Sequence, residues 1–140
     1  MADVRERIDA ELDQVQRILS RLSGVTACSR LSELELAGVA ALLHGFYNGV
    51  ENVLKQILRE KGAGIPTGES WHRDLIALAA SQGILTEKTA KGIRPYLAFR
   101  HFFSHAYAVD LVPDRIEPLV KEAPALFEQV QVDLAKALQK

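Results

Sequence analysis

Cysteine is nearly absent from this chain. Of 140 residues only Cys28 carries a thiol, which excludes an internal disulfide framework and any multi-cysteine metal site. That scarcity suits a reducing, cytoplasmic setting, with Cys28 as an inert residue in a turn. Long apolar runs are missing too: no stretch reaches the roughly 20 residues needed to span a bilayer. The first 21 residues are studded with charge, so nothing there reads as a signal peptide. Strand-like alternation, internal repeats and low-complexity tracts are also lacking. Charge of one sign is not in excess, since 17 basic residues face 18 acidic ones for a net −1. A dedicated nucleic-acid binder is usually basic, so any contact with nucleic acid must rest on a local patch. Lys88, Lys91, Arg94 and Arg100 oppose only Glu87 between Thr86 and His105. Lys55, Arg59 and Lys61 oppose Glu60 at the end of a long helical stretch.

What is present has the helical period throughout. Val4, Ile8, Leu12, Val15, Leu19 and Leu22 step by three and four, which predicts an amphipathic helix over 3–22. Asp3 with Glu6 can form its capping box. Ser32 with Glu35 offers a second such start, and the pattern then runs to Lys61, where Gly62 stops it. That second helix carries Ala37, Ala41, Phe46, Val50, Val53, Leu54 and Ile57 on its expected buried side. It also holds Gly38, Gly45 and Gly49, each about 1 kcal/mol worse than alanine in a helix. Close approach of another helix offsets such a loss, either inside one chain or at a dimer seam.

Residues 62–70 hold three glycines and a proline, which predicts a loop. Ser70 is placed to cap a short helix from Trp71 to about Gln82, with Trp71, Leu75 and Leu78 inward. A further helical stretch starts at Thr86. Gly92 and Pro95 predict a break near Arg94, with Pro95 opening a fresh helix through Tyr107. The last stretch, 113–139, is helical, with Pro118 and Pro124 expected to kink or divide it. The fold expected is all-α, an up-and-down bundle of four to five helices in one domain over 1–140.

The chemistry concentrates in Arg100-His101-Phe102-Phe103-Ser104-His105-Ala106-Tyr107. Only four histidines and three tyrosines occur in the chain, and two of the former and one of the latter fall here beside an arginine. Guanidinium grips phosphate bidentately and keeps its charge. Imidazole moves protons near neutral pH. On an ideal helix Arg100 and Tyr107 lie within roughly 20° of each other, whereas Arg100 and His105 stand about 140° apart. A straight helix therefore does not offer both to one phosphate. Either the helix ends inside the motif or a twofold seam joins residues of two chains. His101 and His105, four apart, also have the spacing of two zinc ligands, with His44, His72 or Glu51 as possible thirds. The adjacent Arg100 opposes a dication, and no metal site is assigned. Buried hydrogen bonding alone is the plain alternative for each of these side chains.

The spacing Arg100, four residues, His105, one residue, Tyr107 resembles the motif of HEPN-domain ribonuclease toxins, most of all the HepT-like toxins encoded beside a small nucleotidyltransferase antitoxin. The segment Gly68-Glu69-Ser70-Trp71-His72-Arg73-Asp74-Leu75 is similar to the loop–helix junction of HepT-like members. The resemblance implies a HEPN-like, homodimeric fold with the cleft between protomers. It implies a metal-independent endoribonuclease that uses Arg100 and His105, with His101 at the polar position after the arginine and no cofactor. Its implied partners are RNA and the nucleotidyltransferase, which adenylylates Tyr107. Ser104 stands where some relatives carry a larger basic residue. The alternative is a non-catalytic HEPN-like module that binds the nucleotidyltransferase.

Overall fold

The computed structural model describes residues 3–107 and 110–139. Among them are five α-helices and no strand: α1 (Val4–Leu22), α2 (Glu33–Glu60), α3 (Trp71–Ser81), α4 (Glu87–His105) and α5 (Pro113–Leu138), with a 3-10 turn at Cys28–Arg30 between the first two. The all-α expectation holds.

The capping residues set the first two helices. Asp3 accepts the Glu6 backbone N–H at the start of α1. Ser32 and Glu35 form a complete capping box at the start of α2, each side chain accepting the other's backbone N–H. Gly62 and Gly83 take positive φ after α2 and α3, the left-handed conformation that closes a helix. Ser70 departs from expectation: its hydroxyl donates to the Asp74 carboxylate instead of accepting a helix N–H.

Helix α2 runs through the middle of the bundle and packs on all four others. Its core side is Leu36, Val39, Leu43, Phe46, Val50, Val53, Leu54 and Ile57. Ala41, placed inward by the sequence pattern, is exposed, and Ala37 is half-buried. From α1 come Ile8, Val15, Leu19 and Leu22, and from α5 come Ile116, Phe127, Val130 and Leu134. The interior glycines of α2 are explained within the chain. A β-carbon at Gly49 would overlap Val15 Cγ2, and one at Gly45 would come within 3.1 Å of Ile18 Cδ1. Two of the three therefore serve the α1–α2 crossing rather than a seam between chains.

Three boundaries differ from those predicted. Pro95 does not break α4, which runs unbroken from Glu87 to His105. Pro118 and Pro124 likewise leave α5 undivided from Pro113 to Leu138. All three proline rings are on exposed faces. The backbone group that proline leaves unbonded can there turn to water, so the defect is tolerated. The third difference matters for the site. The helix predicted to continue through Tyr107 ends at His105, and Ala106 is extended (φ −98°, ψ 155°).

Helix α4 is backed by α5. Ile93, Tyr96 and Phe99 are buried, and the Tyr96 hydroxyl donates to the Leu119 carbonyl at 2.7 Å. A β-carbon on Gly92 would come within 2.9 Å of Leu126 Cδ1, so the two helices are close there as well. Fixing α4 from this side leaves its other edge, which carries the motif, facing α2 and α3.

Candidate functional site

The motif sits on the last turns of α4, and helix geometry separates its members. Arg100 is half-buried and turns toward α2, where its Nε donates to Asn48 Oδ1 at 3.4 Å. Asn48 in turn lies 3.4 Å from His44 Nδ1. Burial and then the Arg100 charge hold His44 below the usual imidazole range, with Glu51 opposing them. His44 therefore stays neutral, as suits an imidazole beside a guanidinium. Phe103 packs on its ring at 5.3 Å between centroids.

His101 and His105 are both exposed. Their rings meet edge to face, with centroids 4.9 Å apart, as four-residue spacing on one helix face allows. Ser104 is turned back on the helix, its hydroxyl donating to the Arg100 carbonyl. Because the helix stops at His105, Tyr107 does not share a helical face with Arg100 as predicted. It is 78% exposed, beyond the helix end, with its backbone N–H donating to the Asp110 carboxylate. Among the described residues, no contact joins Arg100 to His105 within the chain.

Two grooves flank this part of α4. One, of about 410 Å³, lies against α3 and is lined by Glu69, Ser70, His72, Arg73, Leu97, Ala98, Arg100 and His101. The other, of about 520 Å³, lies against α5 and is mostly apolar, with Phe99, Phe102, Val112, Ile116 and Leu119 beside Asp110 and Arg115. The first groove gathers the charged and titratable side chains. Two arginines and two imidazoles meet there over one carboxylate, a balance that favours an anion.

Beneath that groove is a polar cluster built on Glu51 and His72, two residues the sequence offered as possible third metal ligands. Glu51 is buried at 3% exposure, yet sits in the middle of α2. Its partners explain how it is tolerated: His72 Nδ1 at 2.6 Å and Lys55 Nζ at 3.9 Å. The His72 ring lies against Trp71 with 3.6 Å between centroids, and Lys55 covers the other ring system of the pair, 4.2 Å from the Trp71 centroid. The Tyr47 hydroxyl is buried nearby, close to the Glu51 carboxylate but, among the described residues, with no partner in good hydrogen-bond geometry. Burial first, then the Glu51 carboxylate, pushes its ionisation far above the usual phenol range, against a weaker pull from Arg100. Among the described residues no three His, Cys, Asp or Glu side chains gather so as to hold a metal ion, and no helix is long and apolar enough to cross a membrane.

The described residues thus form a five-helix bundle whose fourth helix ends in an Arg-x4-His pair. The chain belongs to the HepT-like protein family, whose model matches residues 38–140. None of the curated proteins matches it. Its fold is similar to that of YutE from Bacillus subtilis, a cytosolic protein of unknown function. The TM-score is 0.80 at 14% identity, covering 96% of this chain and 90% of that one. At that identity the likeness speaks to the fold alone.

Proposed function

We propose that this HepT-like chain is a metal-independent endoribonuclease toxin, with Arg100, His101 and His105 as its cleavage residues. The observation that carries the reading is the shared groove: Arg100 and His101 line it together, and the His105 ring stands against His101. RNA supplies its own nucleophile, the ribose 2′-hydroxyl. The protein need only bind the phosphate, stabilise charge on its oxygens and move two protons. Arg100 does the first two, as a fixed positive fork desolvated on one side by α2. The adjoining imidazoles deliver a proton to the departing 5′-oxygen. The products are a 2′,3′-cyclic phosphate and a 5′-hydroxyl.

Two chains join so that His105 of one complements Arg100 of the other, which answers the angular separation inside a single helix. Control falls to a nucleotidyltransferase antitoxin that adenylylates Tyr107, whose high exposure leaves its hydroxyl open to a second enzyme. The added phosphate and base then obstruct RNA at the end of α4.

The experiment is cleavage of an RNA oligonucleotide by the purified chain in EDTA. Arg100→Ala and His105→Ala should each abolish it with helical content intact, and mixing the two silent variants should restore part of it through mixed dimers. Full activity in either variant would end this reading. A second reading, a non-catalytic module that binds the nucleotidyltransferase, is favoured by the apolar groove against α5 and its exposed rim of Phe102 and Val112. Partner capture without RNA cleavage by the wild-type chain would select it.

A further inference from the structure

Cleavage through the 2′-hydroxyl needs two proton transfers, on opposite sides of the phosphorus. The motif provides His101 on the α4 wall of the groove, with the His105 ring against it. Across it, on α3, stands a third imidazole that the motif does not include.

His72 is held more firmly than a helix-surface histidine needs to be. Its Nδ1 is 2.6 Å from Glu51 Oε2, and a carboxylate only accepts, so Nδ1 carries the hydrogen. That fixes the tautomer: in the neutral ring Nε2 is a bare acceptor, the form that takes up a proton. Trp71 lies along the ring and limits its rotation. The imidazole is still not sealed in. Its side chain keeps 18% of its surface and lines the groove with Arg100, Arg73 and His101.

The same helix sets both residues. Asn48 holds the Arg100 guanidinium, and Glu51, three residues on and so on the same face of α2, holds His72. Thus α2 holds a cation and an oriented imidazole on the lining of one groove, although the two residues lie 28 apart in the chain and on different helices. A merely structural tie between α2 and α3 asks only that Glu51 be paired. It does not explain why the ring that pairs it opens onto the groove holding Arg100.

We propose that His72, oriented by Glu51, takes the proton of the attacking ribose 2′-hydroxyl. This rests on the ribonuclease reading and adds its missing base. The 2′ O–H proton passes to His72 Nε2 as O2′ bonds to phosphorus. The bond from phosphorus to O5′ breaks, and O5′ takes a proton from the motif imidazole that faces it, His101 on the groove wall or His105 brought in by the second chain. Water then removes the proton from His72 and returns one to that imidazole. Glu51 is a positioning residue in this scheme. The charged and titratable groups around His72 are Glu51 and, behind it, Lys55 and the Tyr47 hydroxyl from α2, Glu69 and Arg73 around the start of α3, and Arg100 and His101 from α4.

The test is His72→Asn in the full chain, since an Asn amide can occupy the place of Nδ1–H and still donate to Glu51. Single-turnover cleavage should fall roughly 10²–10⁴-fold, the usual share of a general base. Affinity for a 2′-O-methyl RNA, which cannot be cut, should stay at the wild-type value. The residual rate should lose the limb of the pH profile that follows imidazole deprotonation. Glu51→Gln, which can still accept from Nδ1–H, should lower the rate and displace that limb while leaving affinity alone. In the wild-type chain, binding of the 2′-O-methyl RNA should shift the His72 ring resonances, a readout that depends on no variant. A His72→Asn chain that cuts RNA at the wild-type rate and pH profile overturns the inference, as do unmoved His72 resonances at saturating RNA. If Arg100→Ala is silent in that same assay, the ribonuclease reading survives without it. A wild-type chain that cuts no RNA removes both.

Discussion

Alanine at each interior glycine of α2 separates an intrachain helix crossing from a seam between chains. Gly38, Gly45 and Gly49 sit in one helix, so each substitution gains about 1 kcal/mol of helix propensity. Their surroundings differ. Gly38 is exposed and a β-carbon there meets nothing within 4 Å, so Gly38→Ala should keep the gain. At Gly45 the new methyl comes within 3.1 Å of Ile18 Cδ1, the tip of a half-buried chain that can swing, so the two effects nearly cancel. At Gly49 it overlaps Val15 Cγ2. Val15 is fully buried and β-branched, with little rotamer freedom to yield. Overpacking of a rigid site costs roughly 1–3 kcal/mol, and an overlap belongs at the upper end, which leaves Gly49→Ala about 1–2 kcal/mol less stable than wild type. At this chain length a melting point moves roughly 3–5 °C per kcal/mol. Thermal and urea denaturation should therefore rank Gly38→Ala above wild type, Gly45→Ala beside it and Gly49→Ala several degrees below. A stabilised Gly49→Ala, or a destabilised Gly38→Ala whose loss depends on protein concentration, would refute the crossing and return the glycine face to a subunit interface.

Tyr107→Phe keeps the ring and removes the acceptor oxygen. It should cut RNA like wild type, gain no AMP by mass spectrometry with the partner enzyme and ATP, and escape neutralisation; adenylylation of that variant would refute the assignment. Asp133 gives a pH prediction. Burial alone would raise its carboxyl, but hydrogen bonds from Thr89, Thr86 and Gln129 outweigh it and hold the group below the usual aspartate range. A depressed folded value contributes stability that is present above the unfolded pKa near 4 and is lost as pH falls below it. Denaturation between pH 7 and pH 3 should show that loss in wild type, while Asp133→Asn should be weaker at pH 7 and flatter toward acid.

The sequence revealed most where a single helix carries its own signals. The capping residues Asp3 and Ser32 and the stop at Gly62 located α1 and α2 closely, because a cap is a bond within three residues. The prolines misled. Whether Pro95 breaks α4 depends on which way its ring faces, and that is decided by where α5 packs, some 20 to 30 residues later. The candidate site divides in the same way. Arg100, His101 and His105 are legible as a motif, since four-residue spacing on a helix brings rings together without help. The Glu51–His72 pair spans 21 residues and Arg100–Asn48 spans 52, so only the packing of α3 and α4 on α2 discloses them. The stop at His105 takes up one of the two alternatives the spacing left open, a helix ending inside the motif, and it removes the shared face expected for Arg100 and Tyr107 on a helix running through Tyr107.

The bond from Tyr96 to the Leu119 carbonyl bears on the order of synthesis. Helix α4 emerges from the ribosome before α5 does, and although Tyr96 can already meet Phe46 of α2, its hydroxyl has no Leu119 carbonyl to bond until α5 follows. A nascent chain with every motif residue already translated still lacks the support that sets the edge of α4 against α3. The helix that carries the groove is thus backed by a segment that lines none of it, and α5 decides when α4 gains that support.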